Sequence, residues 1–159
     1  METKKHTRKL RRSSKPAQFY VLVLEQDVNF TQTLKYDLEK YLPVSVVTLH
    51  SLSAARMLFK KNPRQFFLGV SSVMSDFKQA DLLKAANIPV IAFINQYEDE
   101  LRDELIKRHV LDYVVKTTDT DTTYVCDLVV RLFKNIAIKV LVIDDSKVSQ
   151  FVIARELAL

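Results

Sequence analysis

Apolar and polar positions along this chain follow two periods, and the switches between them divide it into alternating short elements. Apolar runs rich in β-branched residues stand at Phe19 to Leu24, Val44 to Leu49, Phe66 to Ser71, Val90 to Ile94 and Asp112 to Lys116. Their length and near-continuous apolar character predict strands buried on both faces. Between them the spacing becomes helical. Asn29 to Tyr41 places Phe30, Leu34 and Leu38 on one face, with Leu42 continuing it, and Pro43 ends the helix. Ser51 or Ser53 can cap a second helix whose stripe includes Ala54, Met57 and Leu58, and Asn62-Pro63 breaks it. Asp81 to Ala86 reads as a short third helix closed by Asn87. Glu98 to Arg108 is a charged fourth helix with Leu101, Leu105 and Ile106 inward. A polar loop over Thr117 to Thr123 precedes a fifth helix, Tyr124 to Ile138, whose broad apolar face runs from Val125 to Ile136.

Five strands alternating with five helices predict a doubly wound five-stranded parallel sheet, (βα)5, with both faces covered. Sites in such sheets lie at the carboxyl ends of the strands, beside the reversal in strand order. The polar strand-end residues are therefore the candidates: Glu25, Gln26, Asp27, Ser71, Ser72, Asn95 and Lys116, with Ile94 among them.

The first strand motif occurs twice. Residues 20–27 read YVLVLEQD and residues 139–146 read KVLVIDDS. The period is about one small domain, which predicts one complete domain followed by the opening strand and helix of a second. Val140 to Ile143 is then a core strand without a sheet. It is expected to pack on its own domain, to pair with another chain, or to extend the fifth helix.

Charge divides the chain unevenly. Residues 1–18 hold seven Lys and Arg against Glu2, so this leader carries +6 of a net +5 and the remainder nets −1. It reads as a basic solvated leader, and with no aromatic residues among its charges it is a poor stacking platform for nucleic acid. No apolar run reaches the roughly 18–20 residues that span a membrane, and no signal-peptide core is present, so a cytoplasmic protein is expected. Cys126 is the only cysteine, which excludes an intrachain disulfide and a thiolate metal cluster. Gly69 is the only glycine, where a chain of this length would average about ten. Glycine-rich phosphate loops cannot be written here.

Residues 19–138 resemble the receiver domain of two-component response regulators. The best match is IPVIAFINQYEDELRDELIKRHVLDYVVK, residues 88–116, which ends in an aromatic–x–x–Lys element. The resemblance implies a flavodoxin-like fold and phosphoryl transfer to an aspartate. That chemistry needs a carboxylate nucleophile on the third strand, acids after the first strand to hold Mg²⁺, and a hydroxyl and a lysine to bind the phosphoryl oxygens. Carried over by position, the acid pair falls on Glu25 and Gln26 and the phosphoacceptor on Ser71. The hydroxyl falls on Ile94, the lysine on Lys116 and the aromatic switch on Tyr113. Serine, glutamine and isoleucine thus replace three working groups. The resemblance implies a degenerate receiver with no catalytic residue, no metal site in the first domain beyond weak Mg²⁺ at Glu25 and Asp27, and no enzymatic activity. Asp27 also reads as a helix cap. Asp76 is a substitute phosphoacceptor or, alternatively, a loop or cap residue. His50 and His109 are placed away from Ser71, which argues against a hydrolase.

Residues 139–159 resemble the start of a second receiver, where Asp144 and Asp145 would join a metal pocket once that receiver is complete. Two functions follow. One is a phosphorylation-incompetent pseudo-receiver that serves as an interaction module in a tandem-receiver regulator. The other is an atypical phosphoacceptor in a phosphorelay. The implied partners are the second receiver, an output domain such as a diguanylate cyclase, a second copy in a homodimer, and a sensor kinase.

Overall fold

The structure is a computed structural model that describes residues 19–61, 66–74, 76–108, 110–116 and 121–157. The basic leader, Asn62-Pro63, His109 and the loop from residue 117 to 120 lie outside the described residues. Strands β1 (Phe19–Leu24), β2 (Val44–Leu49), β3 (Phe66–Ser72), β4 (Val90–Ile94) and β5 (Val110–Val115) form one parallel sheet in the order β2-β1-β3-β4-β5. Helices α1 (Val28–Tyr41), α2 (Leu52–Lys61), α3 (Lys78–Ala85), α4 (Asp99–Lys107) and α5 (Asp121–Asn135) alternate with the strands. A further helix, α6 (Lys147–Leu157), follows. This is the flavodoxin-like (βα)5 architecture that the alternation predicts.

Both sheet faces are covered, as parallel strands require. On one face Val21 and Val23 of β1, Val70 of β3 and Phe93 of β4 pack with Leu34 and Leu38 of α1 and Val125 and Val129 of α5. On the other, Leu22 packs with Phe66, Leu83 and Ile88, while Ala92 and Ile94 pack with Ala80 and Leu105. Gly69 sits where α3 approaches closely. A Cβ there would lie 3.2 Å from Leu83 Cδ1 and 3.3 Å from Ile88 Cγ2. Without other glycines, the left-handed positions fall to Asn87, at φ 55°, and to Phe77, at φ 51°. Asn tolerates that region. Phe does not do so readily, and the strain is of order 1–3 kcal/mol. Phe77 is held there by packing with Ala80, Leu105 and their neighbours, and by the Arg108 guanidinium 4.2 Å above its ring.

Several boundaries and faces differ from the sequence reading. The third helix begins at Lys78, the fifth strand at Val110 and the fifth helix at Asp121. Ile106 is exposed because Leu101 and Leu105, one turn apart, already fill the inward stripe. Met57 is exposed for the same reason, Ala55 being the residue of α2 that is buried. Ile136 lies beyond α5, whose end is closed by tighter bonds, Ile136 N–H to Phe133 O at 3.4 Å and Ile138 N–H to Asn135 O at 2.9 Å. Val140 to Ile143 is in neither helix nor sheet. Leu141 is 83% and Ile143 86% exposed. The segment therefore joins no strand of its own domain's sheet and does not extend α5, since the β-branched run from Ile136 onward disfavours helix.

Arg108 ties α3 to α4. Its Nε donates to Asp81 Oδ1 at 3.0 Å and its Nη1 to Glu104 Oε2. Hydrogen bonds from Lys107 and then Arg108 hold the Glu104 carboxyl at about 2, against an ordinary 4.5. The folded chain therefore keeps Glu104 ionised where the unfolded chain protonates it. Its contribution is complete above pH 4.5 and drains away as pH falls toward about 2. Urea denaturation across that range should show a shallower acid-side loss of stability for Glu104→Gln than for the wild type.

Candidate functional site

The carboxyl ends of β1, β3 and β4 open onto a cavity of about 390 Å³. β1 and β3 run in parallel with Leu24 opposite Ser71, so the residues just beyond them converge. Glu25 follows β1 and is only 6% exposed. A carboxylate this buried needs partners, and three donors meet it. The Asp27 amide donates to Oε1 at 3.0 Å, the Ser72 hydroxyl donates to Oε2, and Lys116 Nζ stands 3.4 Å from Oε2. Lys116 extends from the end of β5, where its amide bonds the Ile94 carbonyl at 2.8 Å. Its ammonium also lies 5.0 Å from the centre of the Phe30 ring.

Ser71 and Ser72 point to opposite faces, as successive strand residues must. Ser71 is fully buried, its Oγ 3.3 Å from the Leu24 carbonyl and 3.0 Å from the Ser72 carbonyl. The hydroxyl that enters the cavity is Ser72. The sequence reading put the phosphoacceptor position on Ser71. In the structure the serine lining the cavity is the next one, since β3 continues through Ser72 and Val73 N–H still bonds Phe93 O at 2.8 Å. Gln26 lines the rim and is exposed. Asp27 caps α1 by accepting from the Phe30 amide at 3.0 Å, so its carboxylate is engaged away from Glu25. Ile94 is buried with Ala92, Leu105 and Val73 on the opposite face. Tyr113 packs beside it, its ring 6.2 Å from that of Tyr97.

Asp76 and Lys78 line the outer wall and pair with one another at 2.7 Å. The Lys78 hydrogen bond holds the Asp76 carboxyl below its ordinary value. Asp76 also accepts from the Lys78 amide at 3.3 Å, where α3 begins. His50, placed elsewhere by sequence, lines the same cavity and donates from Nδ1 to the Glu25 carbonyl at 2.7 Å. Ser71 is not among the residues that line the cavity and its Oγ bonds main-chain carbonyls rather than His50, so the two form no hydrogen-bonded pair. Sequence reasoning missed His50, Lys78 and the Phe30 platform under Lys116. A strand ending at Leu49 could have signalled His50, since it stands at the carboxyl end of β2. Asp144 and Asp145 stand apart from this cavity, before α6. Among the described residues, no group of three or more His, Cys, Asp or Glu side chains is placed to hold a metal ion. Also among them, no helix is long and apolar enough to cross a membrane.

No protein-family model matches the sequence, and no curated protein matches it. Solved structures do. A two-component response regulator from Clostridium difficile is 19% identical with a TM-score of 0.61, over 76% of this chain and all of that one. The Francisella response regulator 1452 receiver domain is 23% identical with a TM-score of 0.60, over 74% of this chain and 98% of its own. The fold is that of response-regulator receiver domains. The chain is also similar to part of a longer protein, a probable two-component system response regulator/GGDEF domain protein. That match has a TM-score of 0.71 and 23% identity over 89% of this chain, which spans 58% of the neighbour's length.

In this receiver fold the buried Glu25 is the group that depends most on its partners. Lys116→Met should destabilise the chain by about 1–3 kcal/mol in urea denaturation, because it removes the cation beside a buried carboxylate. Glu25→Gln should have a smaller effect, since the amide oxygen still accepts from the Asp27 amide, the amide nitrogen can donate to the Ser72 hydroxyl, and no buried charge is left unpaired.

Proposed function

We propose that residues 19–138 act in two-component signal transduction as a phosphorylation-incompetent pseudo-receiver, a cytoplasmic interaction and regulatory module rather than an enzyme. The observation that carries this reading is the closed contact among Ser72, Glu25 and Lys116. Phosphoryl transfer needs an anionic nucleophile and an uncommitted cation. Here the strand-end hydroxyl donates to Glu25, and the lysine is drawn to the same carboxylate. Ile94 offers no hydroxyl, and Gln26 offers no second acid.

The same reading makes residues 139–159 the opening of a second receiver, joined to the first without a Gly/Ser linker. The partner of the first domain is then that second receiver or an output domain. The longer neighbour with a GGDEF domain is in keeping with such an arrangement. A homodimer and a sensor kinase remain secondary partners. The competing reading, phosphate acceptance at Asp76, draws on the position of Asp76 on the cavity wall, but its carboxylate is held by Lys78.

Intact-mass analysis after incubation with acetyl phosphate and Mg²⁺ separates the two. The pseudo-receiver reading expects no phosphoryl adduct on the wild type. An adduct that disappears in Asp76→Ala would overturn it in favour of a rebuilt phosphoacceptor.

A further inference from the structure

Residues 140–157 repeat residues 21–38 in hydrogen bonding as well as in sequence, with Val140 matching Val21 and each later residue keeping that offset. In both copies the amide two residues past the leading acid donates back to it: Asp27 to Glu25 Oε1 at 3.0 Å, and Ser146 to Asp144 Oδ1 at 2.7 Å. In both, the cap side chain accepts from the third residue on: Phe30 to Asp27 at 3.0 Å, and Ser149 to Ser146 at 3.3 Å. The first helical bonds also correspond, Thr31 to Asp27 O at 3.1 Å and Gln150 to Ser146 O at 3.0 Å. Helices α1 and α6 begin at matching residues, Val28 and Lys147.

What differs is the surroundings. Val21, Leu22 and Val23 are fully buried, whereas of their counterparts Val140 and Leu141 are 60% and 83% exposed and Val142 is half-buried. The buried Leu34 and Leu38 of α1 match Ile153 and Leu157, both open to solvent. The place that such a unit fits is close at hand. Phe133, in the last turn of α5, has its ring 5.3 Å from that of Phe19, the first residue of β1. The chain therefore leaves α5 beside the point where β1 enters the sheet. Residues 136–139 can cover about 13–14 Å when extended, at roughly 3.3–3.6 Å each.

We propose that residues 140–157 are a second occupant of the slot that β1 and α1 fill, between β2 and β3 of the same chain. In the exchanged state Val140 to Ile143 gain parallel neighbours on both sides. The strand end at the cavity changes from Glu25 and Gln26 to Asp144 and Asp145. The exchange is thus a conformational device that trades a rim with one carboxylate for a rim with two. β1 and α1 hold the slot at rest because they pack better. The Phe30 ring meets Phe93 at 4.8 Å and Thr31 is fully buried, where the second unit brings Ser149 and Gln150. This inference rests on the fold and the repeat, and it stands or falls separately from the phosphorylation reading.

Two experiments on the full chain test it. Leu22 pairs with Val47 across the sheet, so Leu141 takes that place after exchange. Mild oxidation of Val47→Cys/Leu141→Cys should trap an intrachain disulfide, located by peptide mapping. Leu22→Asp, which poisons the resting occupant, should keep a cooperative urea transition. Adding Leu141→Asp should abolish that transition, while Leu141→Asp alone leaves the wild-type midpoint unchanged. Absence of the intrachain disulfide, or its formation only between chains, overturns the proposal. So does a Leu22→Asp chain whose transition is lost outright or is indifferent to Leu141→Asp.

Discussion

A buried carboxylate must be answered by donors, and the polar end of this sheet is organised around that requirement at Glu25. Its partners come from three places: the turn after β1, the end of β3 and the end of β5. Few other groups can supply them, because a parallel sheet covered on both faces leaves its strand ends as the main site for polar chemistry. The ion pair is partly open, with Lys116 28% exposed against 6% for Glu25. The lysine offsets the burial of the acid. Phe30 beneath the ammonium fixes it further.

The outer wall of the cavity is settled in the same way. Asp76 and Lys78 neutralise each other, and His50 is committed to a main-chain carbonyl. Charges that could activate a nucleophile or hold an ion are consumed in pairs. The fold is that of receiver domains, and charged side chains at its cavity pair with one another. The second copy of the β1 motif is the opposite case. It has two acids and an intact cap, yet no strands beside it.

Most of the fold was legible in the sequence because period and composition agree at each element. Val44–Leu49 and Val90–Ile94 come out at their predicted bounds, each flanked by a proline or polar residue that stops it. The errors came where pattern is silent. Lys78, Gln79 and Ala80 open α3, but their turn depends on a left-handed Phe77 that local propensity disfavours. Ile106 looked inward from spacing alone, and only the packed stripe of Leu101 and Leu105 shows why it is not. The site was legible as a set of strand ends. Which of Ser71 and Ser72 faces the cavity was not, because one residue of register reverses which side chain does so. His50 was missed because its role runs through a main-chain carbonyl, which leaves no side-chain motif.

The central claim is that Glu25, Ser72 and Lys116 already satisfy one another, so that a phosphoryl group finds nothing to bind. The most direct measurement is a backbone amide NMR titration with Mg²⁺ and beryllofluoride, a stable mimic of an aspartyl phosphoryl group. The account predicts that the amides of Glu25, Gln26, Ser72, Val73 and Lys116 keep their positions throughout. Saturable shifts at those amides, spreading to Tyr113, would contradict it.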